Sequence, residues 1–257
     1  MDIIEQKQIS RRFTRALSTY DQHAAAQQQI SMHLIDMLRR HTGMSFKSIL
    51  EIGCGSGGFT RILKSNCKIN EWWINDLCSP CEELIDNLLA GKNYHFLSGN
   101  AETINYPLKG KTDLIASASA FQWMEDLRCF FMTLSELLVP EGILLFNTFT
   151  PDNLKEIRRL TGIGLPYATP EQLKRWIKEA GFNIVEEDIQ QICLKFDSPL
   201  SVLRHLKYTG VTATGNSAIW TRQTQEKFSL QYRLLFSDEN RYVTLTYSPH
   251  YILAVKQ

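Results

Sequence analysis

The chain has 257 residues, 44% of them hydrophobic and 21% charged, and a net charge of +1. That length suits one α/β domain with a cap or insertion, the composition excludes a disordered chain, and the near-neutral charge gives no global reason to expect nucleic acid or an anionic membrane as partner. No apolar run approaches the roughly 20 residues of a membrane span, and the start Met1-Asp2-Ile3-Ile4-Glu5-Gln6 lacks the basic and apolar regions of a signal peptide, so a cytoplasmic protein is expected.

In chain order, residues 5–17 and 22–41 read as helices. In the second, Ile30, Leu34, Met37 and Leu38 share one apolar face, and Asp21 is placed to cap its start. From residue 48 strand and helix alternate. Ser48–Ile52 is a strand, 57–66 a helix, Glu71–Asn75 a strand ending at Asp76, and 80–90 a helix before Gly91. Tyr94–Leu97 and Asp113–Ser117 are strands. The helix over 124–138 carries the stripe Leu127, Phe130, Phe131, Leu134, Leu137 and Leu138; Pro140-Glu141-Gly142 stops it, and Ile143–Phe149 is the next strand. Such alternation predicts a mostly parallel sheet with helices on both faces. Thr169-Pro170-Glu171-Gln172 combines a Thr cap, proline at the first helical position and Gln three residues after the cap, and Gly181 ends the helix it opens.

The last third departs from this rhythm. Asn183–Phe196 and Tyr242–Val255 are extended, and between them residues 198–240 read as helical, with Val202, Leu203 and Leu206 on one face and Phe228, Tyr232, Leu235 and Phe236 on another. This block is expected to be an inserted lid over the C-terminal edge of the sheet.

Two motifs carry chemistry. The six cysteines, Cys54, Cys67, Cys78, Cys81, Cys129 and Cys193, suggest no disulfide framework. Cys78-Ser79-Pro80-Cys81 is a lone CxxC; a structural zinc site would need a second pair, so no metal is expected and the two thiols read as part of a helix start. The other motif is Ser48-Ile49-Leu50-Glu51-Ile52-Gly53-Cys54-Gly55-Ser56-Gly57-Gly58: a strand, a turn with four glycines in six residues, and a helix start. Such a turn lets a ligand approach bare backbone, and the helix start offers unpaired N–H groups, which together make a nucleotide-binding device.

The glycines alone leave the nucleotide open. Gly53, Gly55 and Gly58 match the dinucleotide fingerprint, and Asp76 lies 23 residues beyond Gly53, where a nicotinamide site would also want an acid. Three features favour S-adenosylmethionine. Glu51, two residues before the first glycine, would repel a pyrophosphate but suits a cationic amino group. Leu97-Ser98-Gly99-Asn100-Ala101-Glu102 offers a polar side chain beside a small one to an adenine edge. The two long terminal extended segments suit a sheet that closes with an antiparallel strand.

On these residues the chain resembles the class I S-adenosylmethionine-dependent methyltransferases. The resemblance implies a single α/β domain over 1–257, Rossmann-like, with a mostly parallel seven-stranded sheet, an N-terminal helical cap over 1–43 and the lid at 198–240. It implies that the turn from Glu51 through Gly53, Cys54 and Gly55 holds the methionine end, that Asp76 takes both ribose hydroxyls beside Leu77, that Asn100 and Ala101, next to Glu102, contact adenine, and that Ser117 to Trp123 lies beside the reacting methyl group. Tyr20 and Gln27 are expected to close the cofactor pocket.

Outside the sheet the chain is similar to one subfamily, the malonyl-acyl-carrier-protein O-methyltransferases of early biotin synthesis. Phe13, Tyr20-Asp21, Ala24 and Gln27 match its N-terminal helices. Phe146-Asn147-Thr148-Phe149 matches its middle, and Leu203-Arg204-His205-Leu206-Lys207-Tyr208-Thr209-Gly210-Val211, with Trp220-Thr221, matches its inserted block; Leu245-Thr246-Tyr247 matches its last strand. Asn100 departs from the Asp that relatives often carry. The resemblance implies methyl transfer to the free carboxylate of malonyl-acyl-carrier protein, with Phe121, Gln122, Trp123, Tyr167, Arg204 and Lys207 toward the acceptor. A carboxylate is already ionised at pH 7, so no catalytic base is expected. Arg204 and Lys207, spaced i, i+3, share a helix face and could grip a carboxylate. An acidic carrier protein should dock on basic clusters, for which Arg11, Arg12 and Arg15, then Lys155, Arg158 and Arg159, and the Arg204/Lys207 face are candidates. A monomer is the default expectation. The competing readings are a methyltransferase acting on another small molecule, an organic acid or a quinone ring, and a non-catalytic binding protein of the same fold.

Overall fold

The structure, a computed structural model, describes residues 11, 14, 15, 17, 19–210 and 221–257. Most of the expected first helix, including Arg12 and Phe13, and also Val211 and Trp220, lie outside the described residues. Residues 19–23 are helical and break at Ala24 before α1, Ala25–His41. Ala24, not Asp21, occupies the cap position of α1. The Asp21 carboxylate instead accepts the Ser56 hydroxyl at 2.6 Å, which ties the N-terminal segment to the glycine turn.

The order that follows is β1 Ser45–Ile52, α2 Gly58–Asn66, β2 Lys68–Asp76, α3 Cys81–Leu88, β3 Asn93–Ser98 and β4 Thr112–Ser117. A short 3-10 turn at Phe121–Trp123 leads to α4 Leu127–Leu137, β5 Leu138–Phe149, α5 Lys155–Thr161, α6 Pro170–Glu179, β6 Phe182–Ile189 and β7 Ile192–Phe196. Then come α7 Pro199–Tyr208, α8 Arg222–Phe236, β8 Val243–Tyr247 and β9 Pro249–Lys256. The main sheet has the order β3-β2-β1-β4-β5-β9-β6, parallel except for β9, which runs antiparallel to both β5 and β6. This is the Rossmann-like methyltransferase architecture, and β9 is the closing strand the terminal segments implied. Both long extended segments divide in two, and β7 and β8 pair with each other as a separate antiparallel ribbon.

Two apolar layers flank the sheet. One holds Ile30, Leu34 and Met37 of α1 with Phe59, Leu63, Trp72 and Ile85, and extends to Val202, Leu206, Phe228 and Tyr232 of α7 and α8. The other holds Phe130, Phe131, Leu134 and Leu137 of α4 with Phe146, Leu173, Ile177 and Phe182. Fully burying each such side chain contributes about 1.5–3 kcal/mol, so these two layers fix where the strand ends emerge. The capping box at Thr169 and Gln172 forms as the sequence predicts.

Two expectations change. Pro140-Glu141-Gly142 lies inside β5: Glu141 takes a φ of 60°, the β4–β5 register shifts between Thr112 and Leu114, and Leu138 already pairs with Thr112. A bulge absorbs the turn residues and the strand starts early. Leu235 is exposed, not part of the buried face of α8, which consists of Phe228 and Tyr232 with Phe236 half-buried. No described helix is long and apolar enough to cross a membrane.

Candidate functional site

The C-terminal ends of β1, β2 and β4 meet beside the glycine turn, where parallel α/β sheets offer a crevice. The turn is anchored by hydrogen bonds that the Gly53 and Cys54 amides donate to the Asn75 carbonyl, at 2.9 and 3.2 Å. Gly53 has a φ of 73°, and a Cβ there would lie 2.4 Å from the Ala120 Cβ, so only glycine fits. Gly55, at φ 53°, is different: a Cβ there would meet no protein atom within 4 Å, because the position faces a cavity. α2 starts from Gly57, also left-handed, with no side chain capping it. Glycine at the cap supplies no side chain for the first-turn amides.

The cavity measures about 400 Å³. Of the residues the sequence singled out for a cofactor, Tyr20, Gln27, Gly53, Cys54, Gly55, Asp76, Leu77, Asn100, Ala101 and Glu102 line it. Glu51 and Ser117 do not. Ser117 is fully buried, and its hydroxyl donates to the Ile52 carbonyl at 2.8 Å, holding β4 against β1. Asp76 accepts amide hydrogen bonds from Gly55 at 2.8 Å and Cys78 at 2.7 Å. Burial raises its carboxyl above the usual range, and those two amides hold it down in part. The Asn100 side-chain oxygen accepts the Glu102 amide at 2.9 Å, which leaves its NH₂ group for a ligand. The Glu102 carboxylate is itself engaged by the amides of Glu125 and Asp126, the latter at 2.7 Å, so it also shapes the loop after the 3-10 turn.

Glu51 is the penultimate residue of β1, the strand that feeds the turn, and is 1% exposed. Neither of its carboxylate oxygens has a hydrogen-bond partner among the described residues. Burial pushes its carboxyl up to about 8; the Thr60 hydroxyl and amide, close by but outside hydrogen-bonding geometry, oppose the shift, and the Asp76 charge adds to it. A buried acid without a partner is costly unless a cation or proton meets it.

A second hollow of about 30 Å³ adjoins the cavity, and Tyr20, Gln27, Ser119 and Trp123 line both. Its remaining wall is Gln122, Phe149, Asn153, Leu165, Tyr167, Thr209 and Tyr247. None of these carries a formal charge at neutral pH. The Tyr167 hydroxyl accepts from Asn153 Nδ2 at 2.8 Å, which leaves its own proton to donate. The Arg158 guanidinium donates to the carbonyls of Pro151 and Leu165 and lies over the Tyr167 ring, 5.5 Å from its centroid. That guanidinium braces the hollow, which separates Arg158 from its exposed neighbours Lys155 and Arg159 as a docking candidate. His205 bonds the Tyr247 hydroxyl at 2.8 Å, and burial pushes the imidazole down to about 4, so it is neutral at pH 7.

The other acceptor candidates fall elsewhere. Phe121 is fully buried, stacked on Phe146 at 4.5 Å and packed on Phe130 and Phe131; its role is in the core. Arg204 and Lys207 are exposed and line neither hollow. The spacing does put them on one face of α7, but that face is opposite the one that buries Val202, His205 and Leu206. Periodicity shows which residues share a side of a helix, and packing decides which side turns inward.

A sequence profile of the methyltransferase domain matches residues 8–187. Over 252 residues the chain is 45% identical to the malonyl-[acyl-carrier protein] O-methyltransferase of Porphyromonas gingivalis (strain ATCC BAA-308 / W83), a match that covers 98% of this chain and 96% of that one. The chain belongs to the malonyl-[acyl-carrier protein] O-methyltransferase family. A relative of the same name from Bacteroides thetaiotaomicron is 38% identical over 258 residues, covering 97% of each chain. In structure the chain is similar to the N-methyltransferase NodS from Bradyrhizobium japonicum WM9, solved in complex with S-adenosyl-l-homocysteine, with a TM-score of 0.58 at 15% identity, covering 96% of this chain and 98% of that one. That likeness speaks to the fold.

The sequence placed Ser119 only within the run Ser117 to Trp123 and gave Asn153, Thr209 and Tyr247 no site role. Ser119 stands out in three dimensions: it has a φ of 58° and its amide donates to Asn147 Oδ1 at 2.8 Å, a strained residue held beside the cavity. The other three lie far from the glycine turn in sequence and reach the hollow only because β5, α7 and β8 end there.

Proposed function

We propose that this protein transfers the methyl group of S-adenosylmethionine to the free carboxylate of a malonyl thioester carried on an acyl-carrier protein, giving the methyl ester at an early step of biotin synthesis. The observation that carries the cofactor half is Glu51, a buried carboxyl whose oxygens accept no hydrogen bond from the described residues, in the strand that feeds a glycine turn open to a cavity. A cationic amino group would neutralise it, Asp76 would accept from the ribose diol, and the free NH₂ of Asn100 beside Ala101 would meet adenine. The acceptor half draws on the names of the relatives at 38–45% identity and on the small hollow next to the cavity.

When bound, the cofactor supplies an electrophilic methyl group on a sulfonium. The chain's own task is to align and to exclude water. Tyr20, Gln27, Ser119 and Trp123 border both compartments and would set the line between acceptor oxygen and methyl carbon. Tyr167, with Asn153 occupying its oxygen, would donate its proton to the malonyl carboxylate oxygen that does not react, and Tyr247, backed by neutral His205, would do the same. Neutral donors orient an anion without pairing it so tightly that its nucleophilicity is lost. The N-terminal segment over 1–43, which supplies Tyr20 and Gln27, would act as a cap, and 198–240, which supplies Thr209, as a lid. The exposed Arg204/Lys207 face, with Arg11 and Arg15, would dock the acidic carrier protein.

Isothermal calorimetry tests the cofactor half. Asp76→Ala should weaken S-adenosylmethionine binding by tenfold or more, about 1.4 kcal/mol; unchanged affinity would remove the assignment.

A further inference from the structure

The glycine turn and the CxxC pair are far apart in sequence, yet the fold brings them together. β1 and β2 are parallel neighbours, so Cys54, just past the end of β1, lies beside Asp76 at the end of β2, and Cys81 opens α3 next to both. Among the described residues, Cys54, Asp76 and Cys81 form a group of metal-capable side chains whose ligand atoms all lie within 4.8 Å of one another, and all three are buried. All three also line the cavity, as does Cys78.

We propose that Cys54, Cys81 and Asp76 form a binding site for a thiophilic divalent cation, zinc or its analogue cadmium, inside the cofactor cavity, so that cation and nucleoside exclude one another. Tetrahedral zinc holds its sulfur ligands at about 2.3 Å, which puts two sulfurs about 3.8 Å apart. The three ligand atoms need to close by about 1 Å or less to reach that geometry, a movement within side-chain reach. Two sulfurs and one carboxylate oxygen make a borderline-soft set that selects zinc or cadmium over magnesium or calcium. Three protein ligands leave a fourth position on the cavity side for water. The Asp76 carboxylate is already oriented by the Gly55 and Cys78 amides, and each oxygen keeps a lone pair for a metal. The step is ligand exchange with no change of oxidation state: the aquo ion gives up water, and Cys54 and Cys81 each release a proton to solvent as their sulfurs bond the metal.

A lone CxxC is half of a structural zinc site, and the sequence supplies no second pair. The fold supplies the second sulfur, Cys54, from the glycine turn, and a third donor, Asp76, in place of Cys78. The exclusion of nucleoside rests on the proposed role of Asp76 with the ribose: a carboxylate that ligates a metal cannot also accept from the diol.

The test uses the full-length reduced protein, freed of metal and titrated with Cd²⁺ while thiolate-to-metal absorption is recorded. One saturable equivalent is expected. Cys81→Ala should weaken it at least tenfold, whereas Cys129→Ala, at an exposed cysteine, should leave it unchanged. Saturating S-adenosylhomocysteine should raise the apparent Kd for Cd²⁺ at least tenfold. Cadmium-113 NMR of the unsubstituted protein should fall in the range of two-sulfur coordination, which keeps the test decisive if Cys81→Ala misfolds. Equal Cd²⁺ affinity in Cys81→Ala, or a resonance of one or no sulfur, overturns the site. Tight Cd²⁺ binding that is indifferent to a nucleoside shown to bind the metal-free protein overturns the exclusion. Failure of that nucleoside to bind the metal-free protein at all counts against the cofactor reading and leaves the cation result to be judged by itself.

Discussion

Glu51 gives the sharpest physical prediction. In the unfolded chain its carboxyl titrates near 4.5; in the fold burial pushes it up to about 8. Below pH 4.5 both states hold the proton and burial has no electrostatic cost. As pH rises, the unfolded chain loses its proton first and the folded one keeps it until about 8, so the ligand-free protein loses stability across that window. Between about pH 5.5 and pH 8 the loss amounts to about 3 kcal/mol. Glu51→Gln removes the titration and should remove that slope. Urea unfolding of both proteins at several pH values, compared as a difference, isolates the contribution of Glu51 from every other titrating group. Ligand binding should run the other way. A cationic amino group stabilises the ionised form, so near pH 7 cofactor binding should expel up to one proton from the wild type and none from Glu51→Gln, and the variant should bind tenfold or more weakly, for a lost charge-assisted bond of about 1.5–3 kcal/mol. Calorimetry in buffers of different ionisation enthalpy measures the proton directly. A wild-type/variant stability difference that is flat with pH, or binding without proton release, would show that Glu51 does not carry the buried proton.

Other substitutions separate the cavity, the hollow and the surface. Gly53→Ala drives a methyl into Ala120 and forces an unfavourable φ, so thermal unfolding should show a loss of at least about 1–3 kcal/mol; Gly55→Ala meets no protein atom and should cost about 1 kcal/mol of stability while sharply weakening cofactor binding. Tyr167→Phe keeps the ring over which Arg158 lies but removes the donor, so kcat/KM for the malonyl substrate should fall roughly tenfold with cofactor affinity unchanged; equal loss of both would point to a packing role. Arg204→Ala with Lys207→Ala should raise KM for the carrier-bound substrate and flatten its dependence on salt, with kcat preserved; a lower kcat at saturating substrate would instead put these residues at the reaction.

The parallel sheet was legible because each of its parts has a local signal: the strand–helix alternation, the Thr169 capping box and the glycine turn are set by neighbours in sequence. Glu51 and Asp76 could also be placed beside the turn, since they stand near strand ends whose relative positions a parallel sheet fixes. Long-range packing set what was not legible. Arg204 and Lys207 carry the charge expected at a carboxylate, but Val202 and Leu206 take the inward side of α7 and turn them to solvent. Asp21 looked like a cap from its position before an apolar helix, yet its partner is Ser56. The convergence of Tyr167, Asn153, Thr209 and Tyr247 on one neutral hollow has no local signal, because its members come from separate elements that meet only in the fold.

The proposed acceptor is the free carboxylate of a carrier-bound malonyl group, and one assay addresses it directly. S-adenosylmethionine labelled in the methyl group is offered with malonyl-acyl-carrier protein, acetyl-acyl-carrier protein, malonyl coenzyme A and free malonate in parallel, and the products are identified by mass spectrometry. The label should appear on malonyl-acyl-carrier protein as a methyl ester, at the highest kcat/KM of the four, and not on the acetyl form, which has no carboxylate to receive it. Transfer to the acetyl carrier, or no transfer to the malonyl one, would contradict this acceptor.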